Sequence, residues 1–171
     1  MSSALLFALI AASPLAQQEL GKAGATCAAN EVGPALRVYV DGLKDRRGLL
    51  KLELYPSDDK DFLADDTHLV AAGKPFRRVE VPTPQFGPVW LCIRAPYSGI
   101  YSVSLLHDRD GNHKFGLTVD GAGFSNNPHI GFGKPKAAAT AVRIGPGVAT
   151  TRIVMNYRHG LLSFGPLKGV E

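Results

Sequence analysis

LRVYVDGLKDRRGLLKLELYP, residues 36–56, decides the fold class. Its first half sets Leu36, Val38 and Val40 on one side and Arg37, Tyr39 and Asp41 on the other; its second half sets Leu50, Leu52 and Leu54 against Lys51 and Glu53. A period of two is the repeat of a strand whose side chains point alternately to a core and to water. Residues 44–48, KDRRG, interrupt the alternation with charge and a glycine. The two strands are expected to be antiparallel partners in a hairpin around that loop.

The same period returns in FRRVEVP (76–82), VWLCIRA (89–95), IYSVSLLHD (100–108), TAVRIG (140–145) and ATTRIVMNYR (149–158). Pro96 and Gly99 supply turn dihedrals between the fourth and fifth runs. Residues 57–74, SDDKDFLADDTHLVAAGK, break the pattern and read as a solvated acidic loop with at most one or two helical turns. Seven strands without a long helix predict an all-β fold, a seven-stranded antiparallel Greek-key β-sandwich, with a barrel as the alternative. A chain of 171 residues suits one such domain.

Around this core the chain divides into Met1–Ala16, a signal peptide by its apolar run; residues 17–34, an N-terminal extension; the sandwich, 35–158; and a tail, 159–171. The tail carries Leu161, Leu162 and Phe164 and is expected to pack along a sheet edge. An apolar run this short cannot span a bilayer, so no membrane insertion is expected after cleavage. Export to the periplasm or the medium agrees with the two cysteines, Cys27 and Cys92, which are expected to form one disulfide in an oxidising compartment. The net charge of +4 is spread over scattered basic residues. They are not interleaved with aromatics, which argues against a nucleic-acid partner.

LLHDRDGNHKFG, residues 105–116, is the stretch that invites chemistry. Asp108, Asp110 and Asn112 alternate around Gly111, so their oxygens can converge on a hard cation of calcium's size. Lys114 opposes a cation, and neither the glycine nor the distal acid of an EF-hand is in place. An Asx-rich turn capping backbone N–H groups is the leading reading, and no cofactor is required. His107, His113 and His129 follow no common metal spacing. Downstream, DGAGFSNNPHIGFGKP (120–135) is a long loop rich in glycine and aromatics, of a kind that often carries function. Its Ser125, Asn126 and Asn127 are, with His107, binding-loop candidates, and the first three could add oxygens to a cation at Asp108. Ser125 lacks the G-x-S-x-G setting of a hydrolase nucleophile.

GLKDRRGLLKLELY, SGIYSVSLLHDRDGNHKFG, GAGFSNN and FGKP together resemble the bacterial exported domains called domain of unknown function 2141. Gly99 and Tyr101 match that family's Gly-x-Tyr strand; His107, Asp108, Asp110, Gly111 and Asn112 its acidic loop; Gly123 to Asn127 its Gly-Phe-Ser-Asn-Asn motif. The resemblance implies an exported prealbumin-like or immunoglobulin-like sandwich and names no activity. One departure bears on calcium: His113 replaces a glycine, and Gly116 stands near where a further acid is expected. The expected function is therefore non-enzymatic, an envelope-structural or ligand-binding role toward an envelope or extracellular ligand. The alternatives are a calcium-dependent binding module and an envelope glycan hydrolase.

Overall fold

The computed structural model describes residues 20–131, 133–160 and 163–169. The signal peptide Met1–Ala16 and the tail residues Leu161 and Leu162 lie outside them.

The described chain is almost entirely β. Its strands are β1 Ala35–Asp41, β2 Leu49–Pro56, β3 Arg77–Pro82, β4 Val89–Arg94, β5 Gly99–Asp108, β6 Gly121–Phe124, β7 Ala141–Ile144, β8 Val148–Val154, β9 Asn156–His159 and β10 Ser163–Pro166. A three-stranded sheet has the order β4-β1-β8, and a seven-stranded sheet has the order β10-β9-β6-β5-β2-β3 with β7 also on β5. The inward sides of the two sheets meet in one core, with Leu36, Val38, Leu91 and Ile93 from the small sheet and Leu50, Leu52, Leu54, Val103 and Leu105 from the large one.

Two expectations about pairing are corrected. β1 and β2 are not a hairpin: β1 pairs β4 and β8, while β2 pairs β3 and β5. The 42–48 connection instead arches from one sheet to the other. A period of two reports which face of a strand is buried and is blind to which strand lies beside it. The sandwich is also not wholly antiparallel, because β8 runs parallel to β1, from Ala35 beside Val148 to Asp41 beside Val154.

Among the described residues the strands number ten rather than seven, for physical reasons. The run 149–158 is two strands: it changes sheets at Met155, whose N–H donates to the Asp41 carbonyl (2.9 Å). β6 has the sequence GAGF, poor in strand-forming residues, because its partners leave no room for larger ones. A Cβ on Gly121 would run into the Tyr157 ring, and one on Gly123 into Ile153. β10 lies in the tail and pairs antiparallel with β9, extending the edge of the large sheet.

Residues 57–74 carry one short helix, α1 (Asp66–Ala71), capped by Asp65, whose side chain accepts from the N–H groups of Thr67 (2.9 Å) and His68 (3.4 Å). The other acids of this segment are tied down as well. Asp58 accepts from the Lys60 N–H, Asp59 pairs with Lys136, Asp61 with Lys74 and Asp66 with Arg78. α1 and its loop cover part of the outer face of the large sheet, burying a second apolar cluster of Tyr55, Phe62, Leu69, Phe76, Phe124 and Ala137. Cys27 and Cys92 are bridged, with Cα atoms 5.7 Å apart. No helix among the described residues is long and apolar enough to cross a membrane.

Candidate functional site

β5 ends at Asp108, and the turn that follows is built on that carboxylate. Asp108 is 1% exposed; Oδ1 accepts from the N–H groups of Gly111 (2.9 Å) and Asn112 (3.2 Å), and Oδ2 from His113 (2.7 Å). Asp110 accepts from the Asn112 side-chain amide (2.9 Å), and Asn112 Oδ1 accepts from the Lys114 N–H (2.7 Å). These are the Asx interactions expected of a capping turn. The loop closes through Asp120, which accepts from the N–H groups of Arg109 (2.9 Å) and Gly116 (2.7 Å).

Asp120 is the residue that spacing missed. With Asp108 and Asp110 it forms a trio whose carboxylate oxygens lie within 4.8 Å of one another, so an acid does stand where Gly116 left a gap. It comes from the far end of the loop, at the threshold of β6, and only the closure of the loop brings it in. Ser125, Asn126 and Asn127 contribute nothing here. In the β5–β6 register Ser104 faces Phe124 and His107 faces Gly121, which puts Ser125 opposite Val103, about 17 Å along the strand from Asp108.

The binding-loop candidates are staples. The Ser125 hydroxyl, fully buried, donates to the Thr140 carbonyl. Asn126 donates to the carbonyls of Ala139 (3.3 Å) and Ala141 (2.9 Å). Asn127 accepts from the Val154 N–H (2.8 Å) and donates to the Arg152 carbonyl (3.2 Å). Both asparagines have positive φ, 62° and 46°, the region that Asn tolerates better than most residues. They fasten the 125–136 loop to β7 and β8.

His107 is likewise no ligand-facing group, because it is fully buried. Its Nδ1 lies 2.6 Å from the Tyr157 hydroxyl and its Nε2 lies 2.9 Å from the Arg47 carbonyl. The Tyr157 oxygen accepts from the Lys44 N–H (3.1 Å), so its own proton goes to Nδ1, and Nε2 carries the imidazole proton to Arg47. This neutral tautomer satisfies every group. Burial lowers the His107 pKa from 6.5 and raises that of Tyr157 to about 12. Together they hold the 42–48 arch to the large sheet. Arg109 adds a clamp on the same arch, ion-paired to Asp45, and holds the Asp45 carboxyl below its ordinary range.

What the two fastened loops enclose is a groove of about 790 Å³ on the outer face of the large sheet. Its floor is the outward row Lys51, Leu106 and Ala122, in register across β2, β5 and β6, with Phe124 beside it. One wall is Phe115 and Leu117, half exposed, from the acidic-turn loop; Phe115 stacks edge-on to Phe164 of β10, with centroids 6.1 Å apart. The opposite wall comes from Ile130 and His129 of the stapled loop and Leu63 of the α1 segment. A Lys51 Nζ to His113 carbonyl bond (3.2 Å) ties the first wall to the floor. Beside Lys51 on the same face of β2, Glu53 is 5% exposed and ion-paired to Arg78 (2.6 Å), and the Tyr55 hydroxyl donates to it (2.8 Å). Burial, and the Glu53 charge after it, push the Tyr55 phenol well above its ordinary range.

The family model described as an uncharacterized protein conserved in bacteria, DUF2141, matches residues 38–152. No curated protein and no solved structure matches the chain.

Proposed function

The chain belongs to the DUF2141 family, and on that footing we propose that it is an exported, non-enzymatic binding protein that holds a largely apolar small ligand in the groove on its large sheet. One observation carries the reading. The acidic turn and the Gly-Phe-Ser-Asn-Asn segment, separate in sequence, each fasten one of the two loops that wall the same groove. Its volume falls in the range of about 300–1,000 Å³ usual for ligand sites, and half-exposed Phe115 and Leu117 are apolar surface that a ligand would cover. Export is supported by the disulfide, a bond that persists in oxidising compartments. The absence of a reaction is supported by the state of the acid–base groups: Asp108 is taken up by three N–H donors, and His107 and Ser125 are buried in structural bonds.

The test is titration with N-phenyl-1-naphthylamine, a neutral dye that fluoresces in apolar surroundings. One saturable site is expected, lost in the double variant Phe115→Ser and Leu117→Ser, whose exposed positions leave the core intact. No saturable site, or one indifferent to the double change, would overturn the reading. A calcium-dependent module is the second reading, favoured by the approach of Asp108, Asp110 and Asp120. Binding to the native state alone raises stability, so a thermal midpoint and calorimetric heat unchanged by calcium or chelator dispose of it.

A further inference from the structure

We infer that the occupant of the groove is a single-chain amphiphile with an anionic head, carboxylate or phosphate, held over Lys51. This rests on the groove being the binding site and adds the polarity of what it takes. The floor is polarised along one row: Lys51 stands beside Leu106, and Leu106 beside Ala122, so a cation sits at one end of an apolar strip.

The charge around that strip is one-sided. Among the described lining residues Lys51, Lys134 and Arg158 are cations, Lys134 already donating to the carbonyls of Asp59 and Phe62, and Glu53 is the one carboxylate. Glu53 is already matched. Its Oε1 accepts from Arg78 Nη2 (2.6 Å) and Nε (2.7 Å), and its Oε2 from the hydroxyls of Tyr55 (2.8 Å) and Ser104 (3.4 Å). The acid therefore cannot serve as the counter-ion for a cationic ligand. Lys51, by contrast, is 4.0 Å from Glu53 Oε1 and gives one bond, to the His113 carbonyl. An ammonium has three protons to donate. Its side chain is 13% exposed, shielded enough that an anion reaching it exchanges a wet environment for a partly apolar one, where a charge-assisted bond is strong.

The remainder of the site suits a saturated chain. Leu63, Leu106, Phe115, Leu117, Ile130 and Phe164 give an apolar lining whose side chains offer no hydrogen-bonding groups.

The experiment compares ligands that share one tail. Dodecanoate, dodecyl phosphate, dodecanol and dodecyltrimethylammonium are titrated below their micellar concentrations by displacement of N-phenyl-1-naphthylamine. Either anion is expected to bind about tenfold tighter than dodecanol, the margin between a charge-assisted and a neutral hydrogen bond, with the ammonium weakest. The ratio of the two anions tells carboxylate from phosphate. In Lys51→Met, which keeps the aliphatic stem, the advantage over dodecanol falls toward one; in Lys51→Arg it survives. If dodecanol matches the anions, or the ammonium binds best, the polarity is wrong and the groove stands. If none of the four displaces the dye, the occupant is not a single-chain amphiphile. If the dye itself finds no site, the groove reading fails first. Should Lys51→Met not fold, the ligand ratios of the unaltered protein decide alone.

Discussion

Asp108→Asn is the change that most directly links the acidic turn to the groove. It alters one oxygen. In the native turn Oδ1 faces the N–H groups of Gly111 and Asn112, and Oδ2 faces that of His113. The amide keeps its oxygen toward the first two donors and turns an NH₂ group at the third, so the His113 N–H meets a donor. One charge-assisted bond of about 1.5–3 kcal/mol is lost, and the other two become neutral bonds worth about half as much. The destabilisation expected is at least about 3 kcal/mol, large for a single-atom change at the end of a strand. It is also local. His113 sits at φ 62°, a conformation that bond helps to hold, and its carbonyl is the acceptor for Lys51. Hydrogen exchange over residues 111–117 should quicken more than in β2 or β5, and dye affinity should fall although Asp108 does not line the groove. Denaturant unfolding, exchange and dye titration on one preparation check all three. Stability within about 0.5 kcal/mol of the parent, with unchanged exchange, refutes the reasoning.

Three further outcomes are expected. Because burial lowers the His107 pKa from 6.5, the native state takes up its proton at lower pH than the unfolded chain does. The stability this residue contributes is complete above pH 6.5 and is lost as pH falls from there through the folded value; unfolding between pH 8 and pH 5 should show a slope that His107→Gln flattens. Gly121→Ala places a methyl against the Tyr157 ring and should cost about 1–3 kcal/mol, read as a lower thermal midpoint. Replacing Cys27 and Cys92 by serine opens a loop closed over a separation of 65 residues and should cost roughly 4 kcal/mol, with the same loss on adding reductant to the parent protein.

Faces were legible in the sequence; neighbours were not. Alternation in residues 36–56 assigned Leu36, Val38, Leu50 and Leu52 to the core, where they lie, because burial is written into each strand separately. That β1 and β2 belong to different sheets is a property of the 42–48 arch and its anchors at His107, Tyr157 and Arg109, which no local pattern encodes. β6 was hidden by its own packing, since the glycines that let Tyr157 and Ile153 approach are the residues that argue against a strand. At the candidate site, Asp108 was visible and its capping role anticipated, whereas Asp120 needed the closed loop to reveal it. The groove has no counterpart in any local pattern of the sequence. Its lining comes from β2, β5, β6, β9, β10 and three loops, and residues such as Phe115 and Ile130 carry no signature until they face one another.

The N-terminal segment lies along β4, an edge strand of the small sheet. Thr26 forms a bridge with Ile93, the Arg94 N–H donates to the Ala25 carbonyl (2.8 Å), and Cys27 is bonded to Cys92 of the same strand. Edge strands with open hydrogen-bonding groups are templates on which a second chain can pair. The Cys27–Cys92 bond thus acts as a latch on a cover: a second chain pairing with β4 would have to displace residues 25–27, and the bond opposes that displacement. With the latch open, that edge would lie bare beside Trp90, 53% exposed, so the reduced protein is expected to self-associate more readily than the oxidised one.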